Sequence, residues 1–132
     1  MMSRAIVLLA ALLTTSCSEA PTSPDVVRGT SFQLQAGETA ALPSGLKFTF
    51  VAVRSDSRCP IDAICVSAGD AVVAITVTRS SGSPESRELH TDPRASTLEA
   101  EGLTIALTEL QPYPRSGRQT PSGDYVATFV IR

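Results

Sequence analysis

Four stretches of this chain alternate apolar and polar residues with a period of two, and no helix-length stretch repeats with a period of 3.6. Successive side chains of an extended strand point to opposite faces, so this alternation specifies strands with one face buried and one wet. In "LKFTF" the apolar face is Leu46, Phe48 and Phe50, and in "AVVAITVT" it is Ala71, Val73, Ile75 and Val77. "LTIALTEL" contributes Leu103, Ile105 and Leu107, and "DYVATFVIR" contributes Tyr125, Ala127, Phe129 and Ile131. "SFQLQ" and "SRELH" alternate more weakly, which suits edge strands. All eight glycines fall between these runs, where turns need positive φ or close backbone approach. The pattern predicts an all-β chain: one antiparallel β-sandwich of immunoglobulin-like kind with six to seven strands, a small closed barrel being the alternative.

"GLKFTFVAV", from Gly45, and "GLTIALTEL", from Gly102, carry apolar residues at the same offsets, ending on Val53 and Leu110. The last step in each is odd, which would turn Val53 and Leu110 to the wrong face of a regular strand. A β-bulge or bend before each is therefore expected. Near the end of the chain, Leu110 and then "PSGDYV" resemble the Leu-x-Pro-Gly-x-Tyr approach to a late strand in immunoglobulin-like and fibronectin-like domains. That resemblance implies that the Tyr125 hydroxyl ties back to the backbone.

The first residues, "MMSRAIVLLAALLTTSC", hold one positive charge at Arg4 and an unbroken apolar run from Ala5 to Leu13. Such a run fits the core of a signal peptide and is too short for a spanning helix of about 20 residues. "TTSC" resembles the cleavage box of bacterial lipoproteins, which implies a signal peptide over 1–16 and lipid on the thiol of Cys17. Residues 17–28, with "SEAPTSPDVV", have the Ser and Pro content of a flexible tether, leaving 29–132 as the folded domain. Ser18 stands where an aspartate would favour inner-membrane retention, so an outer-membrane anchor is expected, with a secreted or periplasmic protein as the alternative.

Subtracting the 16 leader residues from 132 leaves 116, enough for one domain. Removing Arg4 from the 11 basic residues leaves ten against 13 acidic ones, a net charge of minus three without any basic cluster. Nucleic acid is therefore not an expected partner.

Cys59 and Cys65, six positions apart, cannot meet on a helix or a strand, because the chain would rise about 9 Å or 20 Å between them. A disulfide between them requires "CPIDAIC" to fold back as an irregular loop, with Pro60 opening a tight turn and Ile61 and Ile64 pointing together onto the sandwich. Structural zinc needs four ligands, whereas two thiols and the lone His90 are available. A redox pair ordinarily has a two-residue spacing at a helix N-terminus. A structural disulfide is the expectation that fits an exported domain.

"DSRCP", four residues, Cys65, and then "AGDA" entering a strand resemble a group of uncharacterised small bacterial envelope proteins, mostly predicted lipoproteins, that share this loop. Many members have Trp two positions after the second cysteine, where this chain has Ser67. The resemblance implies the loop, the envelope location and the β-fold, and brings no established activity with it.

His90 is the sole histidine, and a Ser-His-Asp triad would have to recruit it, with Asp92 close by in sequence. Asp56, Asp62 and Asp70 surround the cysteine loop but lack calcium-loop spacing; turn capping is expected of Asp56 and Asp70, and solvent exposure of Asp62. Arg58 has two readings: a brace that pairs with Asp56 or backbone carbonyls, or a specificity residue presented by a disulfide loop, as in protease inhibitors. Tyr113, Arg115 and Arg118 in "QPYPRSGRQTP" are further candidate contacts, and Tyr113 can equally pack over the end of the sandwich. The expected function is a non-catalytic interaction or accessory module with no cofactor or metal, meeting a membrane through its lipid anchor and an unknown envelope protein or ligand through its loops. A small hydrolase using His90 and an inhibitor presenting Arg58 are the alternatives.

Overall fold

The computed structural model describes residues 26–132, and each alternating stretch in it is a strand. In chain order these are β1 (Ser31–Gln35), β2 (Thr39–Ala41), β3 (Lys47–Asp56), β4 (Ala71–Thr78), β5 (Pro84–His90), β6 (Thr97–Ala100), β7 (Leu103–Gln111) and β8 (Val126–Ile131). They form two four-stranded antiparallel sheets, ordered β2-β3-β4-β5 and β1-β8-β7-β6, packed as a β-sandwich. Among the described residues the strands number eight and not six or seven, because β2 and β6 have three and four residues, too few for alternation to register. Neighbours within each sheet follow chain order apart from β1, which joins beside β8, whereas immunoglobulin sheets interleave strands from separate hairpins. "SFQLQ" and "SRELH" are the edge strands β1 and β5, as their weak alternation implies.

The alternating apolar residues meet between the sheets. Phe48 and Phe50 from one sheet close on Phe129 from the other, with ring centroids 4.8 and 6.4 Å apart, and Phe32 completes the cluster at 5.6 Å from Phe129. The Phe48 and Phe50 pairs with Phe129 are edge-on, as is Phe32 with Phe48 at 6.1 Å, the arrangement that sets a ring's positive rim against a neighbour's negative face. Both expected bulges are present. The β3–β4 register shifts between Phe50 and Ala52 and again between Val53 and Ser55, and the β7–β8 register shifts between Leu107 and Glu109. The extra residue restores parity, so Leu110 is buried and Val53 packs on the core.

The sandwich has two distinct poles. Val26 is already buried, Arg28 donates to the Gly102 carbonyl, and Gly29 donates to that of Ile131, so residues 26–28, expected in the tether, belong to the folded body. The chain enters there, where β7 starts and β8 ends. Opposite lie the end of β3, the start of β4, the end of β7 and the start of β8, joined by two long loops. The leader and Cys17 fall outside the described residues.

Candidate functional site

Residues 57–70 link β3 to β4, and Cys59 and Cys65 are bonded across them with Cα atoms 5.9 Å apart. Pro60 opens a turn closed by Ala63 N–H donating to its carbonyl at 3.1 Å. The base of the loop is a short ladder: Ser57 N and Oγ both donate to the Asp70 carbonyl, and Cys59 N donates to that of Ala68. Cys59→Ser with Cys65→Ser removes a small ring, for which loop-closure entropy gives about 2 kcal/mol. Urea unfolding of the double variant is expected to show that loss with an unchanged m-value, since the ladder keeps the loop base in place.

Arg58 is the hub of this pole. It is 6% exposed, although it stands in a loop. Its Nε donates to Asp56 Oδ1 at 2.8 Å and Nη2 to Oδ2 at 2.6 Å, a forked pair, while Nη1 donates to the Leu110 carbonyl at 2.5 Å and Nη2 to that of Pro112 at 2.9 Å. The Tyr113 ring lies over the guanidinium, 4.7 Å from its carbon to the ring centroid. Of the two readings of Arg58, the brace is what the structure shows, and the side chain is not presented to a protease. Burial pushes the Asp56 carboxyl up, but the hydrogen bonds and charge of Arg58 outweigh it and hold the group below its ordinary value. Tyr125 donates its hydroxyl to Asp56 Oδ2 at 3.2 Å, so this late tyrosine ties back to a carboxylate and not to the backbone. Burial raises the Tyr125 hydroxyl pKa, and the Asp56 charge adds to the rise.

These contacts join the disulfide loop to the loop over 112–125. Ile61 N donates to the Pro114 carbonyl at 2.9 Å, and Ser116 N to Asp62 Oδ1 at 2.9 Å, a bond that holds the Asp62 carboxyl below its ordinary value. Arg115 and Arg118 bridge to each other across a tight turn and expose their side chains. Ile61 and Ile64 do not turn onto the sandwich: Ile61 is 65% exposed, and Ile64 and Val66 are fully exposed. Arg58 and Tyr125 are buried at this end of the sandwich, Tyr113 is half-exposed, and the disulfide ring leaves its apolar residues facing solvent.

His90 lies nearby, but its partner is Asp70 and not Asp92: Nδ1 lies 2.6 Å from Asp70 Oδ2. Asp70 Oδ1 accepts from Thr91 Oγ1 and Asp92 N; burial raises the Asp70 carboxyl, and these bonds with that of His90 outweigh it, leaving it low. Asp92 is taken up by Arg94, whose guanidinium and backbone N hold its carboxyl far below the usual carboxylate range. Among the described residues no serine, threonine or cysteine hydroxyl or thiol hydrogen-bonds to His90. The three loop aspartates go to three different partners, and no cluster of potential metal ligands forms among the described residues.

A cleft of about 390 Å³ opens between the outer half of β3 and the 112–125 loop, bordered by Arg54, Ser55, Asp56, Arg118, Thr120 and Ser122. β2 pairs with β3 only over Lys47–Thr49, which leaves this stretch of β3 without a strand neighbour on that side. Arg54, Thr120 and Ser122 escaped the sequence reading. The one signal for Arg54 was its position beside the parity break at Val53, since a bulge re-aims neighbouring side chains. Comparison of the chain with models of known protein families, with curated proteins and with solved structures gives no match in any of the three.

Proposed function

We propose that this protein is a lipid-anchored, non-catalytic interaction module of the bacterial envelope, held by lipid on Cys17 and meeting an envelope partner through the pole formed by its disulfide loop and 112–125 loop. The observation that carries this reading is the outward display of Ile61, Ile64 and Val66 on a loop fixed by a disulfide, a buried arginine and cross-loop hydrogen bonds. Exposed apolar side chains on a rigid support lose little freedom on contact, which is what a docking surface needs. The chain enters the sandwich at the opposite pole, so an anchored molecule presents these loops away from its anchor.

Mild crosslinking in intact envelopes tests the reading. The wild-type chain is expected to yield a discrete crosslinked species that the double variant Ile64→Asp, Val66→Asp loses and His90→Ala retains. Loss with His90→Ala alone would favour the hydrolase reading. Cys17→Ser is expected to move the protein from the membrane fraction to the soluble one; a variant still in the membrane fraction would remove the lipid anchor.

A further inference from the structure

The cleft beside β3 has a chemistry that the apolar loop tip does not share. Arg54 and Arg118 border it from opposite walls, and neither forms an ion pair among the described residues. The one carboxylate at its edge, Asp56, is already saturated by Arg58 and Tyr125. Charge at the cleft is therefore positive although the whole chain is acidic. Arginine forks match the planar or tetrahedral oxygens of a carboxylate or phosphate, often with two parallel bonds. Ser55, Thr120, Ser122 and Gln119 also line the cleft, and their hydroxyl and amide groups both donate and accept.

We propose that this cleft binds a small anionic sugar, Arg54 and Arg118 taking its carboxylate or phosphate and the surrounding hydroxyl and amide groups its ring hydroxyls. The volume is within the range of small-molecule sites, about 300–1,000 Å³. Both walls are set before the ligand arrives, one by the sheet and the other by the bonds from Arg58 to Leu110 and Pro112 and from Ser116 to Asp62. An added peptide strand fits less well, because two bulges interrupt the regular ladder of β3 beside the cleft. Arg118, Gln119 and Thr120 also border a second cleft of about 420 Å³ that holds Tyr113, Arg115 and Asp124. A second sugar unit could continue there against the half-exposed Tyr113 ring and the further cation Arg115.

Titration of the isotope-labelled protein with four probes, followed by amide NMR, tests the assignment. Glucuronate or glucose 6-phosphate is expected to shift the amides of Arg54, Ser55 and residues 118–122, and to bind about tenfold or more tightly than glucose or inorganic phosphate. Which of the two anionic sugars binds better distinguishes carboxylate from phosphate. Arg54→Gln and Arg118→Gln, both at exposed positions, are each expected to weaken that binding about tenfold. Ile64→Asp with Val66→Asp is expected to leave it unchanged, which separates this site from the docking tip. The proposal is overturned if inorganic phosphate binds as tightly as the anionic sugars, an adventitious ion only, if glucose does so, or if no probe shifts these amides by about 10 mM.

Discussion

Replacing Arg58 with methionine is expected to lower the unfolding free energy by about 3–5 kcal/mol, the loss that follows when one partner of a buried ion pair is removed. The side chains of Arg58 and Asp56 are 5% and 8% exposed, so the substitution leaves a carboxylate without its counter-charge and two carbonyls, of Leu110 and Pro112, without their donor. Against a net stability of about 5–15 kcal/mol, that is a large fraction. Urea unfolding measures it, and a loss below about 1 kcal/mol would mean that the pair acts as a screened surface contact. Adding Asp56→Asn to Arg58→Met removes the stranded charge and is expected to recover part of the loss.

The same pair fixes a pH dependence whose sign can be worked out. In the wild type the folded Asp56 carboxyl lies below its unfolded value of about 3.9. Its contribution is complete above that value and declines as the pH falls through the lower folded one. In Arg58→Met the carboxyl is buried without a cation and titrates higher than in the unfolded chain, so acid stabilises the variant relative to its state at neutral pH. The stability gap between the two proteins is therefore expected to narrow as the pH drops from about 6 to about 3. A constant gap would place the effect of Arg58 in packing, not charge.

Gly69→Ala is the second substitution expected to do serious damage, at about 2–5 kcal/mol. Gly69 has a φ of +70°, and a Cβ there would lie 1.9 Å from the Ser57 carbonyl oxygen and 2.9 Å from the Arg58 Cα. The left-handed conformation alone costs about 1–2 kcal/mol, and moving packed backbone apart about 1–3 more. The obstacle is main chain and not a flexible side-chain tip, so relief requires opening the ladder between Ser57–Cys59 and Ala68–Asp70. Thermal and urea unfolding read the loss, and faster hydrogen exchange at the Ser57 and Cys59 amides locates it. A change within about 0.5 kcal/mol would show that the two segments separate freely.

What could be read in the residues follows from how local the determinants are. Alternation identified the inward faces of β3, β4, β7 and β8 because a strand's period needs only its own residues. The bulges before Val53 and Leu110 were legible for the same reason, as a parity error that burial has to correct. Strand order was not, since β1 joins β8 across most of the chain. Ile61 and Ile64 were placed wrongly because three-residue spacing gives the direction of two side chains relative to each other, not relative to the core. Only the fold shows that those two isoleucines face solvent, on a loop whose buried anchor is Arg58. Arg58 as a brace was half legible: Asp56 stands two residues away, but its carbonyl partners come from residues 52 and 54 positions later. The Arg54–Arg118 cleft brings together residues from β3 and the 112–125 loop that no motif connects.

The position of β8 has one more consequence. It lies between β1 and β7 in the interior of its sheet, and the hydrogen bond from Gln33 to Thr128 spans 95 residues of sequence. Until that distant partner is available, β1 has no neighbour and the sandwich lacks the Phe129 ring that its other phenylalanines surround. Assembly is thus governed by a late, long-range meeting, which slows acquisition of the native state and keeps a partly made chain open.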